Sequence, residues 1–420
     1  MTMNKYLIYG GNSLDGSIKV STSKNATLPI LAGSILCNGK VVLKNLPSFS
    51  DVTNMLKILE YIGVKVEKQE KNYILDTTDI NNTFIPNELT KNIRSSIFML
   101  GPMLAKLRFA KIAFPGGCNI GNRPIDLHLK GLESLNVKIT EEHGFIICDG
   151  SNMKGAEIHL DFPSVGATEN LVMASIGAKG TSKIYNAAKE PEIVDLINFL
   201  NKMGAKISGG GTSTIVIEGV DVDKLSSIEY TPMSDRIIAG TYLIAGAITG
   251  GNVEICGINP ELIKSLILKL KNCACKIDIK SDTILLKANS KLKAIKSIQT
   301  QPYPGFPTDL QPQMVSLLSV CKGTSIVTEN LFETRFKHIP ELIKMGADII
   351  VKDKNFIING VEKLSGAEVK ASDLRAGAGL VLAGLNANGY TIVDNIEHIN
   401  RGYENLALEL NSLNANIKEI

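Results

Sequence analysis

The chain has 420 residues, a formal net charge of +3 and a hydrophobic content of 44 %. This length predicts two domains, and the nearly balanced charge excludes a strongly basic nucleic-acid-binding surface. Seven cysteines without disulfide or zinc-site spacing indicate a reducing compartment and no metal site. Since no signal peptide or membrane-spanning run is visible, we expect a soluble cytoplasmic protein without a membrane partner, a nucleic-acid partner or a cofactor. No obligate protein partner can be inferred from the sequence.

One short pattern recurs six times at intervals of about 70 residues. A Gly, Asn or Ala is followed by a small or apolar residue, a polar residue and then Val or Ile. Gly and Asn suit the left-handed cap that ends a helix, so each copy predicts a helix followed by a strand. The preceding helices are amphipathic, as at 192–203, and an alternating hairpin follows every copy except the last. The copies begin at Gly63, Asn136, Gly204, Ala274, Gly346 and Asn414.

A second pattern alternates with the first and consists of an uncharged helix of small and apolar residues. Helices that are apolar on all sides must be buried. In five copies the helix is followed by a glycine and then a strand, and the copy at 94–104 lacks the glycine. The predicted helices are 24–36, 94–104, 168–178, 236–249, 309–320 and 375–387.

The two patterns together predict one unit of buried helix, strand, amphipathic helix and hairpin, repeated six times. Six units in 420 residues favour an α/β protein with two domains of three units each. The chain is expected to pass between the domains within 222–233. The strands predicted at 6–9 and 17–21 precede the first unit and could belong to either domain.

Each predicted buried helix opens on a polar or charged residue. Helix N-termini attract anions through their unpaired amides, and cations placed there strengthen that attraction. We therefore expect several of these side chains to converge on one polyanionic ligand. The residues are Lys24, Arg94, Thr168, Arg236, Asp309 and Arg375.

Two of the six connections between strand and amphipathic helix are long. The first, at 114–124, places Cys118 among glycines and close to Arg123, and a nearby cation favours the reactive thiolate. The second, at 330–340, carries Arg335 and His338, and Arg401 occupies the same place in the last unit. If the domains are built alike, these loops are counterparts and could face each other across a cleft. Prolines are predicted in the first helical turn after four connections: Pro124, Pro191, Pro260 and Pro340.

Several short motifs, in order along the whole chain, resemble the enolpyruvyl transferases. They are 23–26 (SKNA), 94–96 (RSS), 115–118 (PGGC) with 123–124 (RP), 164–168 (SVGAT), 306–309 (FPTD), 332–336 (FETRF), 373–375 (DLR) and 401–404 (RGYE). The resemblance implies two inside-out α/β barrel domains with the ligand cleft between them. It assigns 21–230 to the first domain, and 231–420 together with 1–20 to the second.

The resemblance also implies the reaction. Enolpyruvyl would pass from phosphoenolpyruvate to the 3-hydroxyl of UDP-N-acetylglucosamine by addition and elimination, with release of phosphate, in the first committed step of peptidoglycan synthesis. The implied catalytic residues are Cys118, Asp309 and Lys24. Those implied for phosphoenolpyruvate are Lys24, Asn25, Arg123, Arg335, Arg375 and Arg401. Those implied for the nucleotide sugar are Arg94, Arg123, Pro124, Ile125, Asp126, Leu127, Ser164, Val165, Asp309 and Leu331.

Some interpretations stay open at this point. Phe162 stands where some family members have a lysine, and it could stack on a ligand or pack in the core. His128 could support the site from behind or pack at the surface. The sister reaction on shikimate 3-phosphate and a non-catalytic binding protein are the alternative functions. The PGGC loop favours the nucleotide sugar over shikimate 3-phosphate, and the intact set of charged residues argues against a binding protein.

Overall fold

The computed structural model describes residues 4–91, 93–116, 124–289 and 291–420. Within these ranges the strands, β1 to β24 in chain order, are Tyr6–Tyr9, Asp15–Lys19, Lys40–Leu43, Lys65–Gln69, Asn72–Asp76, Phe84–Ile85, Phe109–Ala113, Lys138–Glu142, Phe145–Asp149, Glu157–His159, Thr181–Tyr185, Lys206–Ser208, Thr214–Glu218, Ile228–Tyr230, Asn252–Cys256, Lys276–Ile279, Thr283–Lys287, Ser297–Gln299, Thr324–Thr328, Asp348–Lys352, Asn355–Asn359, Glu368–Lys370, Tyr390–Asp394 and Ile417–Glu419.

The helices follow the two predicted classes, buried and amphipathic. In the same ranges the α-helices, α1 to α13, are Lys24–Ser34, Ser50–Tyr61, Asn87–Thr90, Leu100–Leu107, Asp126–Ser134, Val165–Ile176, Pro191–Met203, Arg236–Ile248, Lys264–Asn272, Gln311–Leu318, Ile339–Lys344, Leu374–Asn386 and Leu406–Asn411. Short 3-10 helices cover Arg94–Met99, Val222–Lys224, Pro260–Ile263, Thr308–Leu310 and Ile396–Arg401.

The strands of the described residues form six four-stranded sheets with one shared topology. In each sheet the first two strands are parallel and the remaining neighbours are antiparallel. The sheet orders are β14-β3-β5-β4, β6-β7-β9-β8, β10-β11-β13-β12, β2-β15-β17-β16, β18-β19-β21-β20 and β22-β23-β1-β24. The sixfold repeat is therefore confirmed, with one addition. The parallel first strand escaped prediction because several copies, such as Phe84–Ile85, are too short to show alternation.

The strands near the N-terminus complete sheets whose other strands come from the last three units. β1 pairs antiparallel with β23 and β24, so it supplies the hairpin strand that the last unit lacks. The pairing is extended by reciprocal backbone bonds of 2.9 Å between Lys5 and Ile420. β2 pairs in parallel with β15. In exchange β14, within the segment 222–233, pairs in parallel with β3 of the first unit.

The described residues divide into two compact units. One contains those of 22–233, and the other contains those of 4–21 and 234–420. Each unit holds three sheets and three of the buried helical segments. Every residue of α8 is buried, as are Arg375 to Leu385 of α12, which confirms the buried-helix pattern. None of the helices in the described ranges combines the length and apolar character needed to cross a membrane.

The predicted caps have the left-handed backbone that their sequences suggest. All six residues of the first pattern have positive φ, namely 111° at Gly63, 65° at Asn136, 117° at Gly204, 73° at Ala274, 88° at Gly346 and 75° at Asn414. The glycines after five buried helices also have positive φ. In the second unit, which lacks that glycine, Arg108 occupies the equivalent position and has a φ of 61°. Its guanidinium donates to the Gly177 carbonyl at 2.6 Å.

Candidate active site

Three of the predicted site residues meet in the unit formed by 4–21 and 234–420. Asp309 lies in the 3-10 turn that leads into α10, Arg375 lies in the first turn of α12, and Arg335 lies just before α11. Arg335 Nη2 is 2.9 Å from Asp309 Oδ1. Arg375 Nη2 is 3.1 Å from Asp309 Oδ2. One carboxylate thus bridges two guanidinium groups.

The two arginines are almost completely buried, and the aspartate is not. Both arginine side chains are 3 % exposed, whereas that of Asp309 is 25 % exposed. Burial opposes the charge of Arg375, but Asp309, Tyr403 and Asp235 together outweigh it, so the pKa of Arg375 lies above its ordinary value. Arg335 Nε and Arg375 Nη1 are buried without a hydrogen-bond partner among the described residues. Buried N–H groups of this kind are costly unless an acceptor is bound, so the arrangement suits an anion.

A hydroxyl and a second carboxylate stand behind Arg335. Arg335 Nη1 donates to Thr308 Oγ1 at 2.9 Å, and Thr308 Oγ1 donates to Glu329 Oε2 at 2.9 Å. Glu329 follows β19 directly and is 4 % exposed. The sequence analysis missed both residues as candidate functional residues. Thr308 could have been noticed because it precedes Asp309 in the FPTD motif, but a glutamate after a strand carries no signal of its own.

His338 and Asp373 occupy the same neighbourhood. Asp373 caps α12 by accepting from the amides of Arg375 and Ala376 at 3.0 and 3.1 Å. His338 is 2 % exposed. Burial, assisted by Arg335 and opposed by Asp373, lowers the pKa of His338 to about 4, so its imidazole is neutral at pH 7. His338 therefore adds no positive charge beside the arginines.

Lys24 and Asn25 begin helix α1 in the unit formed by 22–233. The Ser23 side chain caps this helix by accepting from the Ala26 amide at 3.3 Å. Lys24 Nζ lies 3.1 Å from Asp51 Oδ2, and their side chains are 12 % and 6 % exposed. Asp51 was also missed, because it resembles an ordinary first-turn acid of an amphipathic helix.

The residues predicted for the nucleotide sugar lie mostly at helix starts. Arg94 opens a 3-10 helix, Ser164 caps α6 by accepting from the Ala167 amide at 3.3 Å, and Val165 is the first residue of α6. Asp126 opens α5, followed by Leu127 and preceded by Ile125 in the N-cap position. The prediction that Pro124 lies in the first helical turn is wrong, because the helix begins two residues later. Leu331 N donates to Glu329 Oε1 at 2.9 Å, and Arg401 ends a 3-10 helix.

The remaining predicted positions have mixed outcomes. Cys118 and Arg123 fall outside the described residues, so their roles stay predictions. Phe162 is 46 % exposed, which makes the core interpretation wrong. His128 is 7 % exposed, so surface packing is also wrong. Its Nδ1 lies 3.1 Å from Asn170 Nδ2.

The orientation of Asn170 determines the tautomer of His128. Asn170 Oδ1 accepts from the Gly101 amide at 2.6 Å, and Nδ2 donates to the Ile97 carbonyl at 2.9 Å. Nδ2 therefore also donates to His128, whose Nδ1 must accept. A neutral imidazole in this setting carries its proton on Nε2.

A buried group of carboxyl groups connects α6 and the start of α7. Glu169 and Glu192 are 1 % and 2 % exposed, and Glu190 is 9 % exposed. Burial, with smaller contributions from Glu192 and Glu190, raises the pKa of Glu169 well above its ordinary value. Glu169 Oε1 has no hydrogen-bond partner among the described residues. Burial therefore favours the protonated, uncharged form of Glu169.

The chain is similar to known proteins along almost its whole length. A family profile described as EPSP synthase (3-phosphoshikimate 1-carboxyvinyltransferase) matches residues 8–410. The chain is 52 % identical over 418 residues to UDP-N-acetylglucosamine 1-carboxyvinyltransferase 2 of Caldanaerobacter subterraneus subsp. tengcongensis, covering 100 % of both chains. It is 48 % identical to UDP-N-acetylglucosamine 1-carboxyvinyltransferase 1 of Clostridium perfringens, again covering 100 % of both.

Solved structures share the fold. The crystal structure of the enolpyruvyl transferase NikO from Streptomyces tendae matches with a TM-score of 0.90 at 22 % identity, covering 100 % of this chain and 99 % of the other. EPSP synthase from Acinetobacter baumannii matches with a TM-score of 0.78 at 18 % identity, covering 99 % and 100 %. These matches support the two-domain inside-out α/β barrel expected from the sequence. The chain belongs to the enolpyruvyl transferase family.

Proposed function

We propose that this protein is a UDP-N-acetylglucosamine 1-carboxyvinyltransferase, which transfers enolpyruvyl from phosphoenolpyruvate to the 3-hydroxyl of the nucleotide sugar in peptidoglycan synthesis. The observation that carries the chemistry is the Arg335–Asp309–Arg375 bridge with its unpartnered buried N–H groups. Full-length relatives at 48–52 % identity bear that name, which favours this acceptor over shikimate 3-phosphate. The cysteine content supports the cytoplasm as the site of the reaction.

The arginines are suited to bind phosphoenolpyruvate, which carries a phosphate and a carboxylate. Guanidinium groups pair with such anions through parallel hydrogen bonds. Arg335, Arg375 and Arg401 are the proposed partners from one unit, and Lys24, Asn25 and Arg123 those from the other. An anion bound to Arg335 and Arg375 competes with Asp309 for their N–H groups, and the Asp309 carboxylate is thereby released.

The released carboxylate has a role in the addition step. Asp309 takes the proton of the sugar 3-hydroxyl while the sugar oxygen forms a bond to C2 of phosphoenolpyruvate and C3 gains a proton. The resulting tetrahedral adduct loses a proton from C3 and releases phosphate as the bond between C2 and the phosphate oxygen breaks. Cys118 and Lys24 are the proposed proton donors and acceptors at C3, and Cys118 could also add to C2. The nucleotide sugar would contact Arg94, Arg123, Pro124, Ile125, Asp126, Leu127, Ser164, Val165, Asp309 and Leu331.

Phosphate release tests the assignment. The protein is incubated with phosphoenolpyruvate and either UDP-N-acetylglucosamine or shikimate 3-phosphate, and free phosphate is measured over time. We expect turnover with the nucleotide sugar alone. Turnover with shikimate 3-phosphate alone would overturn the assignment, and no turnover with either would favour a binding protein.

The Cys118 prediction can be tested separately with fosfomycin, an epoxide that mimics phosphoenolpyruvate. We expect a single covalent adduct on Cys118 in the presence of the nucleotide sugar, read from intact mass. The six described cysteines are buried or half-buried, and burial raises the pKa of Cys148 and of Cys275 to about 12, so these thiols should not react. The Cys118→Ser variant is the control and should form no adduct. An unmodified wild-type protein, or an adduct that persists in the variant, contradicts the prediction.

A further inference from the structure

The Thr308 hydroxyl has its hydrogen bonds assigned by its two neighbours. Arg335 Nη1 can only donate, so Thr308 Oγ1 accepts from it at 2.9 Å. The single hydroxyl proton is then left for Glu329 Oε2, 2.9 Å away on the other side. The Thr308 hydroxyl therefore accepts a hydrogen bond from the Arg335 guanidinium and donates one to the Glu329 carboxylate.

Glu329 is itself held by three further donors at its other oxygen. Oε1 accepts from Thr300 Oγ1 at 2.8 Å and from the amides of Leu331 and Phe332 at 2.9 and 3.2 Å. The Thr300 hydroxyl accepts from the Asn330 amide at 2.8 Å, so its proton too is committed to Glu329. With Glu329 only 4 % exposed, this carboxylate fixes both Thr308 and the start of the connection that carries Arg335.

A guanidinium group is planar, so two fixed nitrogens determine the direction of the third. In Arg335, Nη1 is held by Thr308 and Nη2 by Asp309. The remaining Nε–H, buried and without a partner among the described residues, therefore has a set direction. When an anion displaces Asp309, Thr308 is the contact that keeps the guanidinium plane in place.

We propose that Thr308 and Glu329 are positioning residues for enolpyruvyl transfer, and that they act by orienting Arg335 toward phosphoenolpyruvate. This inference rests on the proposed function. Neither residue has to touch substrate for this role. A positioning role predicts that substitution of Thr308 raises KM for phosphoenolpyruvate and leaves KM for the nucleotide sugar unchanged. A general loss of packing would impair the use of both substrates.

The experiment compares steady-state kinetics for both substrates in folded variants. Thr308→Val removes the hydroxyl at constant size and should raise KM for phosphoenolpyruvate roughly 10- to 100-fold, the value of one hydrogen bond to a charged group. KM for UDP-N-acetylglucosamine should stay within about twofold of wild type, and Thr308→Ser should restore the phosphoenolpyruvate KM. Thr324→Val is the matched control, because it removes a similar threonine bond, 2.8 Å to Asn359 Oδ1, at the opposite end of β19 from Glu329.

Glu329→Gln is the second test. Four groups donate to the two oxygens of the Glu329 carboxylate, whereas a glutamine side chain offers one acceptor oxygen and an NH2 group that itself donates. Its KM for phosphoenolpyruvate should rise, and the double variant with Thr308→Val should lose less than the sum of the two single losses, because the two residues share one hydroxyl contact. Glu333→Gln, at an exposed position of the same connection, should behave as wild type. Normal phosphoenolpyruvate kinetics in a folded Thr308→Val or Glu329→Gln variant, or equal losses for both substrates in Thr308→Val, would overturn the proposal.

Binding of inorganic phosphate separates this proposal from the proposed function. If the wild-type protein shows no turnover, the function is wrong, but the orientation of Arg335 can still be measured by calorimetry with phosphate. Weaker phosphate binding in Thr308→Val than in Thr308→Ser supports the positioning role. Equal binding refutes it.

Discussion

At the scale of single residues, Asp309 is held by Arg335 and Arg375, the two arginines that are proposed to bind phosphoenolpyruvate. Each of its oxygens accepts from a different buried arginine. A proton on this carboxyl group would lie beside two cations, which disfavours it. An anion on the arginines offsets their charge, so the proposed role of Asp309 as a base is favoured when phosphoenolpyruvate is bound. Such coupling would limit unproductive proton transfer in its absence.

Asp309→Asn should therefore destabilise the protein and make its stability depend on phosphate. Removing the carboxylate leaves two arginines with 3 % exposed side chains facing each other. Breaking a buried ion pair from one side costs up to about 3–5 kcal/mol, and the partial exposure of Asp309 places the expected loss at roughly 1–3 kcal/mol. Thermal melts with added inorganic phosphate should recover more stability in this variant than in wild type. The control is Asp348→Asn at an exposed carboxylate, and an equal response of all three proteins contradicts the prediction.

The predictability of the site also differs from residue to residue. Arg335, Arg375 and Asp309 could be found because charged residues recur at matched places in the repeats and in recognisable motifs. Glu329 could not, because a glutamate at the end of a strand is common on any surface, and Thr308 could be noticed only through its place beside Asp309 in the FPTD motif. Their role depends on two hydrogen bonds through one hydroxyl, which only the folded backbone brings together.

At the scale of elements, equivalent positions of the six units share a backbone conformation even where their residue types differ. Gly and Asn fill most of the left-handed caps, and the sequence predicted these places well. Arg108 and Ala274 occupy equivalent places without the usual preference for positive φ. The cap is therefore imposed by the sheet and helix on either side of it. The short parallel first strands were unpredictable for a related reason, since long-range pairing rather than local propensity creates them.

Ala274→Gly should stabilise the protein by about 0.5–1 kcal/mol, because glycine adopts φ of 73° without the steric cost that alanine incurs. Ala274 is exposed, so no packing is lost. The free energy of unfolding can be measured by urea titration. Ala347→Gly, one residue after the equivalent glycine of the next unit, is the control and should be destabilising. A loss of stability in Ala274→Gly would show that the strain is absent.

At the scale of the whole molecule, the buried acid Glu169 links folding to pH. Its pKa is raised in the folded state from an unfolded value near 4.5, so the folded protein holds a proton that the unfolded chain releases. Stability should therefore fall as pH rises above about 4.5, until the folded-state pKa is reached.

Glu169→Gln removes this proton linkage while keeping the shape of the side chain. We expect the stability of the variant relative to wild type to increase as pH rises above about 4.5, because only the wild type holds the extra proton in its folded state. Urea titrations at several pH values provide the measurement, and Glu60→Gln, at an exposed position of α2, is the control. Parallel pH profiles for wild type and Glu169→Gln would contradict a raised pKa of Glu169 in the folded protein.

The pairing of β1 with β24 has a consequence for how the chain could be rearranged. The backbones of Lys5 and Ile420 exchange hydrogen bonds of 2.9 Å, so a short linker can join the two ends without disturbing either strand. New ends opened between Ser21 and Thr22 would then give a circular permutant in which each compact unit is one continuous stretch. In the order of this sequence, β1 must wait for β23 and β24 to be synthesised before their sheet can close. The permutant removes that wait and would let each half be expressed as an independent folding unit.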